Sequence, residues 1–141
     1  MNKGFDIVID TNVLVSAIRS SQGASFKLLS LIGKNHYQHH ISVPLVFEYE
    51  EILHRQGKLL GLDAEIIDDI LNYNIATAIS HELYFLWRPC LNDPKDEMVL
   101  ELAITANCEY IITYNLKHFN RVKGFKVRAI TPKEFLTLIG G

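Results

Sequence analysis

The chain has 141 residues, of which 48% are hydrophobic and 21% are charged, and its formal net charge is −2. This composition excludes a disordered chain, which combines low hydrophobicity with a large net charge, and the length predicts one domain over residues 1–141. Proteins that coat nucleic acid through bulk charge are strongly basic, so any contact of this chain with nucleic acid has to come from a local patch or a bound cation.

Cysteine usage and hydropathy indicate the compartment. Cys90 and Cys108 form neither a disulfide framework nor the paired spacing of a structural zinc site. The first residues contain no apolar core followed by a cleavage site, and no apolar stretch approaches the roughly 20 residues that span a bilayer. We therefore expect a cytoplasmic protein that contacts no membrane.

The first half of the chain alternates between strand and helix patterns. The opening strand is β-branched and apolar except at Asp6, as is typical of a buried parallel strand. Turn-forming residues separate the first two helices, and a proline near its start and a glycine at its end bound the third. The predicted elements are the strand Phe5–Ile9, helices Val13–Ile18 and Phe26–Ile32, the strand His40–Val43, a helix from Pro44 to Gly57 and a helix over Asp63–Ala78.

The second half continues the alternation. Its strands are predicted at Leu83–Trp87, Tyr110–Thr113 and Lys126–Ile130. A fifth helix opens at Asp93–Pro94, with Asp93 suited to the N-cap. A capping box beginning at Thr131 predicts a last helix through Ile139. Because parallel neighbours need crossover connections of this size, the pattern predicts an α/β fold with helices on both faces of a parallel sheet.

Acidic and amide side chains follow several of the predicted strands. Asp10 comes directly after the first strand, Asp93 and Asp96 after the third, and Asn115 after the fourth, while Glu48 lies one turn into the helix after the second. The carboxyl ends of parallel strands meet at one edge, where ligands bind. Acids gathered there repel one another unless a hard divalent cation such as Mg²⁺ or Mn²⁺ is bound by their oxygens. A site that combines carboxylates with such an ion and contains no nucleophilic side chain is typical of a phosphodiester hydrolase.

Each of these residues also has a purely structural explanation. Asp10 and Asp93 can cap helices, and an acid at the position of Asp96 favours the helix dipole. Glu48 and Glu50 lie at opposite borders of the apolar face of the third helix. Helical periodicity does not choose between these two glutamates.

Taken together, five segments resemble the PIN-domain nucleases, in the right order and over nearly the whole chain. The similar segments are residues 9–17 (IDTNVLVSA), 44–49 (PLVFEY), 93–103 (DPKDEMVLELA), 110–119 (YIITYNLKHF) and 130–136 (ITPKEFL). Within that family the chain looks most like the toxins of prokaryotic toxin–antitoxin pairs, VapC-like in the broad sense.

The resemblance implies a three-layer αβα PIN-like fold whose five-stranded parallel sheet has the order 3-2-1-4-5. It implies a Mg²⁺- or Mn²⁺-dependent endoribonuclease that cuts single-stranded RNA, forms a homodimer and is inhibited by a cognate antitoxin. By motif position, the metal-binding and catalytic acids are Asp10, Glu48 and Asp96, so the resemblance selects Glu48 over Glu50. Thr11, Asn12 and Thr113 become supporting polar residues near the metal.

The chain departs from the family pattern at Asn115, where many members carry a fourth acid. An amide offers an oxygen to a cation or its water, but no charge. We therefore expect one well-held metal ion and a weaker or absent second one, with Asp93 as a partial substitute for the missing acid.

A basic segment follows the fourth predicted strand. Residues 117–128 contain five of the 14 lysines and arginines and no acid. An ordinary solvated loop explains such a run. The functional hypothesis is that Lys117 and Arg121 guide RNA toward the acids through phosphate contacts, which carry no sequence information.

Two other functions compete with the nuclease. A PIN-like fold kept only for protein binding, as an antitoxin-capturing or scaffold module, is favoured by the uncharged Asn115. A phosphatase of the haloacid-dehalogenase type also begins with an aspartate at a strand end, but needs a second carboxylate two positions later. That position is Asn12, which argues against the phosphatase.

Overall fold

A computed structural model describes residues 4–82, 94–119 and 126–140. Five parallel strands form one sheet in the order β3-β2-β1-β4-β5, which confirms the predicted order. The strands are β1 (Phe5–Ile9), β2 (Tyr37–Ser42), β3 (Ile79–His81), β4 (Tyr110–Ile112) and β5 (Arg128–Ile130).

Helices connect the strands and cover the sheet. They are α1 (Thr11–Arg19), α2 (Ala24–Ser30), α3 (Val43–Leu59), α4 (Ala64–Thr77), α5 (Pro94–Thr105), α6 (Leu116–Phe119) and α7 (Pro132–Leu138). α1 packs on α2 and α3, α3 on α4, and α2 on α7, while α5 lies against β1, β2 and β4. The result is the predicted three-layer αβα arrangement. Within the described ranges, no helix combines the length and apolarity that a membrane crossing requires.

The core centres on β1. Ile7, Val8 and Ile9 are fully buried, because parallel sheets with helices on both faces hide both sides of their central strand. An edge-to-face aromatic group lies at the opposite end of the strand from Asp10, where Phe135 of α7 packs against Phe5. This packing holds β1 rigidly and therefore fixes the position of the polar residues that follow it.

The third strand differs from the prediction. β3 is Ile79–His81, which pairs with His40–Ser42 of β2, whereas the sequence predicts the strand at Leu83–Trp87. Leu83–Trp87 lies outside the described residues. The sequence pattern of β3 is weak, because an edge strand of three residues that includes a serine and a histidine has little hydrophobic periodicity.

The end of the third helix also differs from the prediction. α3 continues through Gly57 to Leu59, and the chain turns only at Gly61, which has a φ of +77°. Gly57 is inside the helix because α4 packs closely there: a Cβ on Gly57 would lie 2.9 Å from Cδ1 and Cγ1 of Ile67. The glycine thus serves helix packing and not helix termination.

Candidate active site

Asp10 is the N-cap of α1, directly after the carboxyl end of β1. Its side chain is only 8% exposed and is held from two sides. Oδ1 accepts a hydrogen bond from the Thr11 backbone N–H at 2.8 Å, and Oδ2 accepts from Thr113 Oγ1 at 2.8 Å and from Asn12 Nδ2 at 3.3 Å. The capping explanation of Asp10 is therefore correct, and the same carboxylate lies at the strand edge where a ligand would bind.

Asn12 and Thr113 tie the ends of β1 and β4 together. Asn12 Nδ2 donates to Thr113 Oγ1 at 3.2 Å, and Asn12 Oδ1 accepts from the Tyr114 backbone N–H at 3.1 Å. The Thr113 hydroxyl also accepts from the Asn115 backbone N–H at 3.0 Å. These bonds orient Asp10 and hold the segment after β4 beside it.

Glu48 reaches the same edge from α3. Its Oε2 accepts from Thr11 Oγ1 at 2.5 Å, and its Oε1 lies 3.7 Å from Lys95 Nζ. The next residue, Tyr49, is fully buried and donates its hydroxyl to the backbone carbonyl of Ile9. Glu50, in contrast, is exposed, so the tertiary structure makes the choice between the two glutamates that helical periodicity left open.

Asp96 lies in the first turn of α5 and is 8% exposed. Its Oδ2 is 2.8 Å from His118 Nδ1 of α6. This contact joins the segments after β3 and β4, so all four strand-end segments of the predicted crevice meet.

A cavity of about 680 Å³ opens over these groups. Among the described residues, its lining consists of Asp10, Thr11, Asn12, Val15, Ser16, Arg19, Glu48, Ile52, Gln56, Lys95, Asp96, Tyr114, Asn115 and His118. The three predicted acids therefore share one cavity with Thr11, Asn12 and Asn115. Thr113 lies beneath it, fully buried.

The electrostatics of the cavity disfavour an ionised Asp10. Burial is the main reason that the pKa of Asp10 rises from 3.8 to about 6. The hydrogen bonds from Thr113 and from the Thr11 backbone lower this pKa, and the negative charges of Glu48 and Asp96 raise it further. The two other acids thus lie close enough to repel the carboxylate of Asp10.

Comparison with known proteins decides the family. Residues 6–117 match the sequence model of the PIN domain, which is more than half of the chain. The chain belongs to the PIN domain family. The resemblance predicted from the five sequence segments is confirmed at this level.

Several solved structures resemble this PIN domain in fold, and two of them are VapBC structures. VapBC2 from Rickettsia felis, bound to a DNA fragment from their promoter, matches with a TM-score of 0.62 and 18% identity, over 89% of this chain and 98% of that chain. VapBC-1 from nontypeable Haemophilus influenzae matches with a TM-score of 0.58 and 14% identity, over 91% and 98%. No functionally curated protein matches the sequence significantly.

The cavity of this PIN domain has the chemistry of a site for a hard cation. Its oxygen donors are carboxylate, hydroxyl and amide groups, which Mg²⁺ and Mn²⁺ prefer. A cation there would offset the burial of the Asp10 carboxylate and its repulsion by Glu48 and Asp96. As the side chains stand, however, no three histidine, cysteine or acidic groups in the described ranges are close enough together to hold one ion. Ligation by all three acids therefore requires at least one of them to change its rotamer.

Several residues of the site were not found from the sequence. Arg19, Lys95, Tyr114 and His118 line the cavity, whereas Lys117 is exposed and does not. His118 could have been found, because it lies three residues after Asn115, and its backbone N–H donates to the Asn115 carbonyl across the turn that opens α6. Asp93 and Arg121 lie outside the described residues.

Proposed function

We propose that this PIN domain is a Mg²⁺- or Mn²⁺-dependent endoribonuclease that hydrolyses phosphodiester bonds of single-stranded RNA. One observation carries the proposal. Asp10, Glu48 and Asp96 come from three distant segments and line one cavity, where burial raises the pKa of Asp10 and the charges of Glu48 and Asp96 raise it further. A fold gains nothing in stability from gathering like charges, so their arrangement favours a functional site.

The proposed roles follow from the contacts of each acid. Asp10 and Asp96 would hold the cation, with Asp10 oriented by Thr113 and Asn12. The bound cation would act as a Lewis acid and lower the pKa of a bound water. Glu48, oriented by the Thr11 hydroxyl, would accept a proton from the attacking water.

With water as the nucleophile, the end groups of the cleaved RNA follow from which bond breaks. Its oxygen bonds to phosphorus while the bond from phosphorus to the 3′-oxygen breaks, which leaves a 5′-phosphate and a 3′-hydroxyl. Water is the proposed nucleophile because the hydroxyls of Thr11 and Thr113, which lie beside the acids, already donate to Glu48 and Asp10. A 2′,3′-cyclic phosphate product would contradict the scheme, since it requires the ribose hydroxyl as nucleophile.

Positive side chains lie where the RNA backbone would enter. Arg19 and Lys95 are on the cavity wall, and Lys117 is exposed on the neighbouring α6. Phosphate contacts by such residues give affinity that falls with salt. Reversing the charges of Lys117 and Arg121 should weaken RNA binding at low salt, and unchanged binding would remove these two residues from the proposal.

The partner is proposed to be a cognate antitoxin, with this chain as the toxin of the pair, acting in the cytoplasm as a homodimer. The VapBC structures from Rickettsia felis and nontypeable Haemophilus influenzae are similar to this chain in fold, and an apolar groove of about 540 Å³ between α1, α2 and α4 offers a docking surface. Phe26, Ile66 and Tyr73 expose about half of their surfaces there. Exposed apolar patches of this kind are typical of protein-binding surfaces.

The nuclease proposal is tested with cleavage of single-stranded RNA in Mg²⁺ or Mn²⁺, with and without EDTA. The Asp10→Asn variant should lose about 100-fold or more of the activity. Asp69→Asn, which removes an exposed carboxylate from α4, should cleave as the wild type does. Equal cleavage by wild type and Asp10→Asn would show contamination and refute the assignment.

A protein-binding module without catalysis is the second candidate. Asn115 in place of an acid, and the absence of a ready three-ligand cluster in the described ranges, favour it. Calorimetric titration with Mn²⁺ separates the two functions without an activity assay. Binding that is lost in Asp10→Asn supports the nuclease, whereas no binding and no cleavage support the module.

A further inference from the structure

Tyr114 has an environment unlike that of the buried tyrosines of this chain. Tyr37 and Tyr49 have rings in the core and donate their hydroxyls to nearby backbone carbonyls. The Tyr114 ring is 45% exposed and lines the acidic cavity. Exposure of a large ring is unfavourable on its own, because burying the ring would gain hydrophobic free energy.

Both ends of Tyr114 are nevertheless held in place. Its backbone N–H donates to Asn12 Oδ1 at 3.1 Å, and its hydroxyl lies 2.6 Å from Oγ of Ser25, a fully buried residue of α2. The ring is therefore exposed but held in position, since a swing of the side chain about its Cα–Cβ bond would break the bond to Ser25. An oriented aromatic surface has already lost the conformational freedom that binding would otherwise take away.

The position of the ring relates it to the proposed chemistry. Asn12, which accepts from the Tyr114 backbone, also donates to the Asp10 carboxylate. Asn12 thus forms hydrogen bonds both to the backbone of Tyr114 and to the acid at the centre of the site, and Tyr114 lines the same cavity as that acid. In a nucleic acid, one sugar connects each phosphate to its base, so a phosphate at Asp10 leaves a neighbouring base near the rim of the cavity.

We propose that Tyr114 is the stacking surface for a nucleobase next to the scissile phosphate of single-stranded RNA. This inference rests on the proposed function. Stacking accepts any base, because every base has a π-face, and it requires an unpaired base that is free to leave its neighbours. Tyr114 would therefore favour single-stranded over duplex RNA without reading a sequence.

The test measures binding without cleavage. A fluorescein-labelled, mixed-sequence single-stranded RNA of 15 nucleotides is titrated with the protein at low salt in Ca²⁺, which binds oxygen ligands as Mg²⁺ does. Anisotropy gives the Kd, and electrophoresis confirms that the RNA stays intact. The Tyr114→Leu variant should bind about tenfold more weakly, within the 5- to 150-fold range that stacking of one base gives. Tyr114→Phe keeps the ring and should stay within about threefold of the wild type.

Two controls make the result specific. Leu138→Ala removes an apolar side chain of a residue that is 50% exposed on α7, outside the described lining of both the cavity and the groove, and should leave the Kd unchanged. A ribose-phosphate oligomer of the same length without bases should bind wild type and Tyr114→Leu equally. Thermal unfolding of each variant excludes loss of the fold.

The outcomes separate this inference from the function on which it rests. RNA binding by wild type that is equal in Tyr114→Leu overturns the role of Tyr114 and leaves the nuclease proposal intact. A deficit of Tyr114→Leu that persists on the base-free oligomer also overturns it, since a phosphate contact would then be lost. Wild type that neither binds nor cleaves RNA overturns both proposals.

Discussion

Replacing Asp10 by asparagine should stabilise the metal-free protein while abolishing its activity. The native pKa of about 6 exceeds the ordinary value of 3.8 by about two units. At about 1.4 kcal/mol for each unit, the ionised carboxylate lowers the free energy of unfolding by about 3 kcal/mol. Asparagine is uncharged but turns an NH₂ group toward the donors Asn12 and Thr113, which costs about 1 kcal/mol. The net gain is about 2 kcal/mol.

The direction in which the free energy of unfolding changes with pH shows whether burial of the Asp10 carboxylate is the cause. Because the native carboxylate holds its proton more tightly than the unfolded one, wild-type stability falls as pH rises from 3.8 to 6. The destabilisation is complete above pH 6 and absent below 3.8. The advantage of Asp10→Asn over the wild type should therefore be largest near pH 7.5 and shrink by about 2 kcal/mol at pH 4.5.

Urea denaturation in EDTA at pH 7.5 and at pH 4.5 measures the stability gain of Asp10→Asn and its change with pH. Asp69→Asn, which removes an exposed carboxylate from α4, should change the free energy of unfolding little at either pH. Added Mn²⁺ should stabilise the wild type but not Asp10→Asn, which reverses the order of stability. If Asp10→Asn gains no stability at pH 7.5, or gains the same amount at both pH values, burial does not disfavour this carboxylate.

Three further predictions concern single contacts. Tyr49→Phe removes the hydrogen bond to the Ile9 carbonyl, so the free energy of unfolding should fall by about 1 kcal/mol. Because this bond joins α3 to the strand that precedes Asp10, kcat should also fall while KM stays unchanged. Gly57→Ala should lower the free energy of unfolding by about 1 kcal/mol, because the crowding of the new Cβ against Ile67 exceeds the gain in helix propensity. Adding Ile67→Val to the same chain should recover part of the lost stability. Asn115→Asp should tighten Mn²⁺ binding measured by calorimetry, because it adds a charge at the cavity.

Each of these predictions has a contrary outcome. An unchanged kcat in Tyr49→Phe would mean that the hydroxyl serves stability alone. Stabilisation by Gly57→Ala would show that α3 and α4 separate easily at this point. Weaker Mn²⁺ binding by Asn115→Asp would place the amide away from the ion.

The order of the elements, except for the short helix α6, and the bounds of most of them to within about two residues could be predicted from the sequence. β1 has the predicted bounds, and the capping box at Thr131 is present, with the Thr131 hydroxyl and the Glu134 carboxylate each accepting from the other's backbone N–H. These features are local, because they depend on the periodicity or the capping chemistry of a few neighbouring residues. Gly57 shows the limit of local rules, since its meaning depends on Ile67 of another helix.

The candidate site, like the fold, has features that local sequence determines and features that depend on tertiary contacts. By itself, the sequence determined the fold class and which strand ends carry acids, because side-chain period and crossover length restrict a chain to few topologies. Helical periodicity left Glu48 and Glu50 open, the family resemblance selected Glu48, and the structure places Glu48 in the lining of the cavity. Only the tertiary structure decided that Asp96 meets His118 and that Tyr114 lines the same space. Such contacts join residues far apart in the chain, and the packing angles between elements, which no local pattern encodes, bring them together.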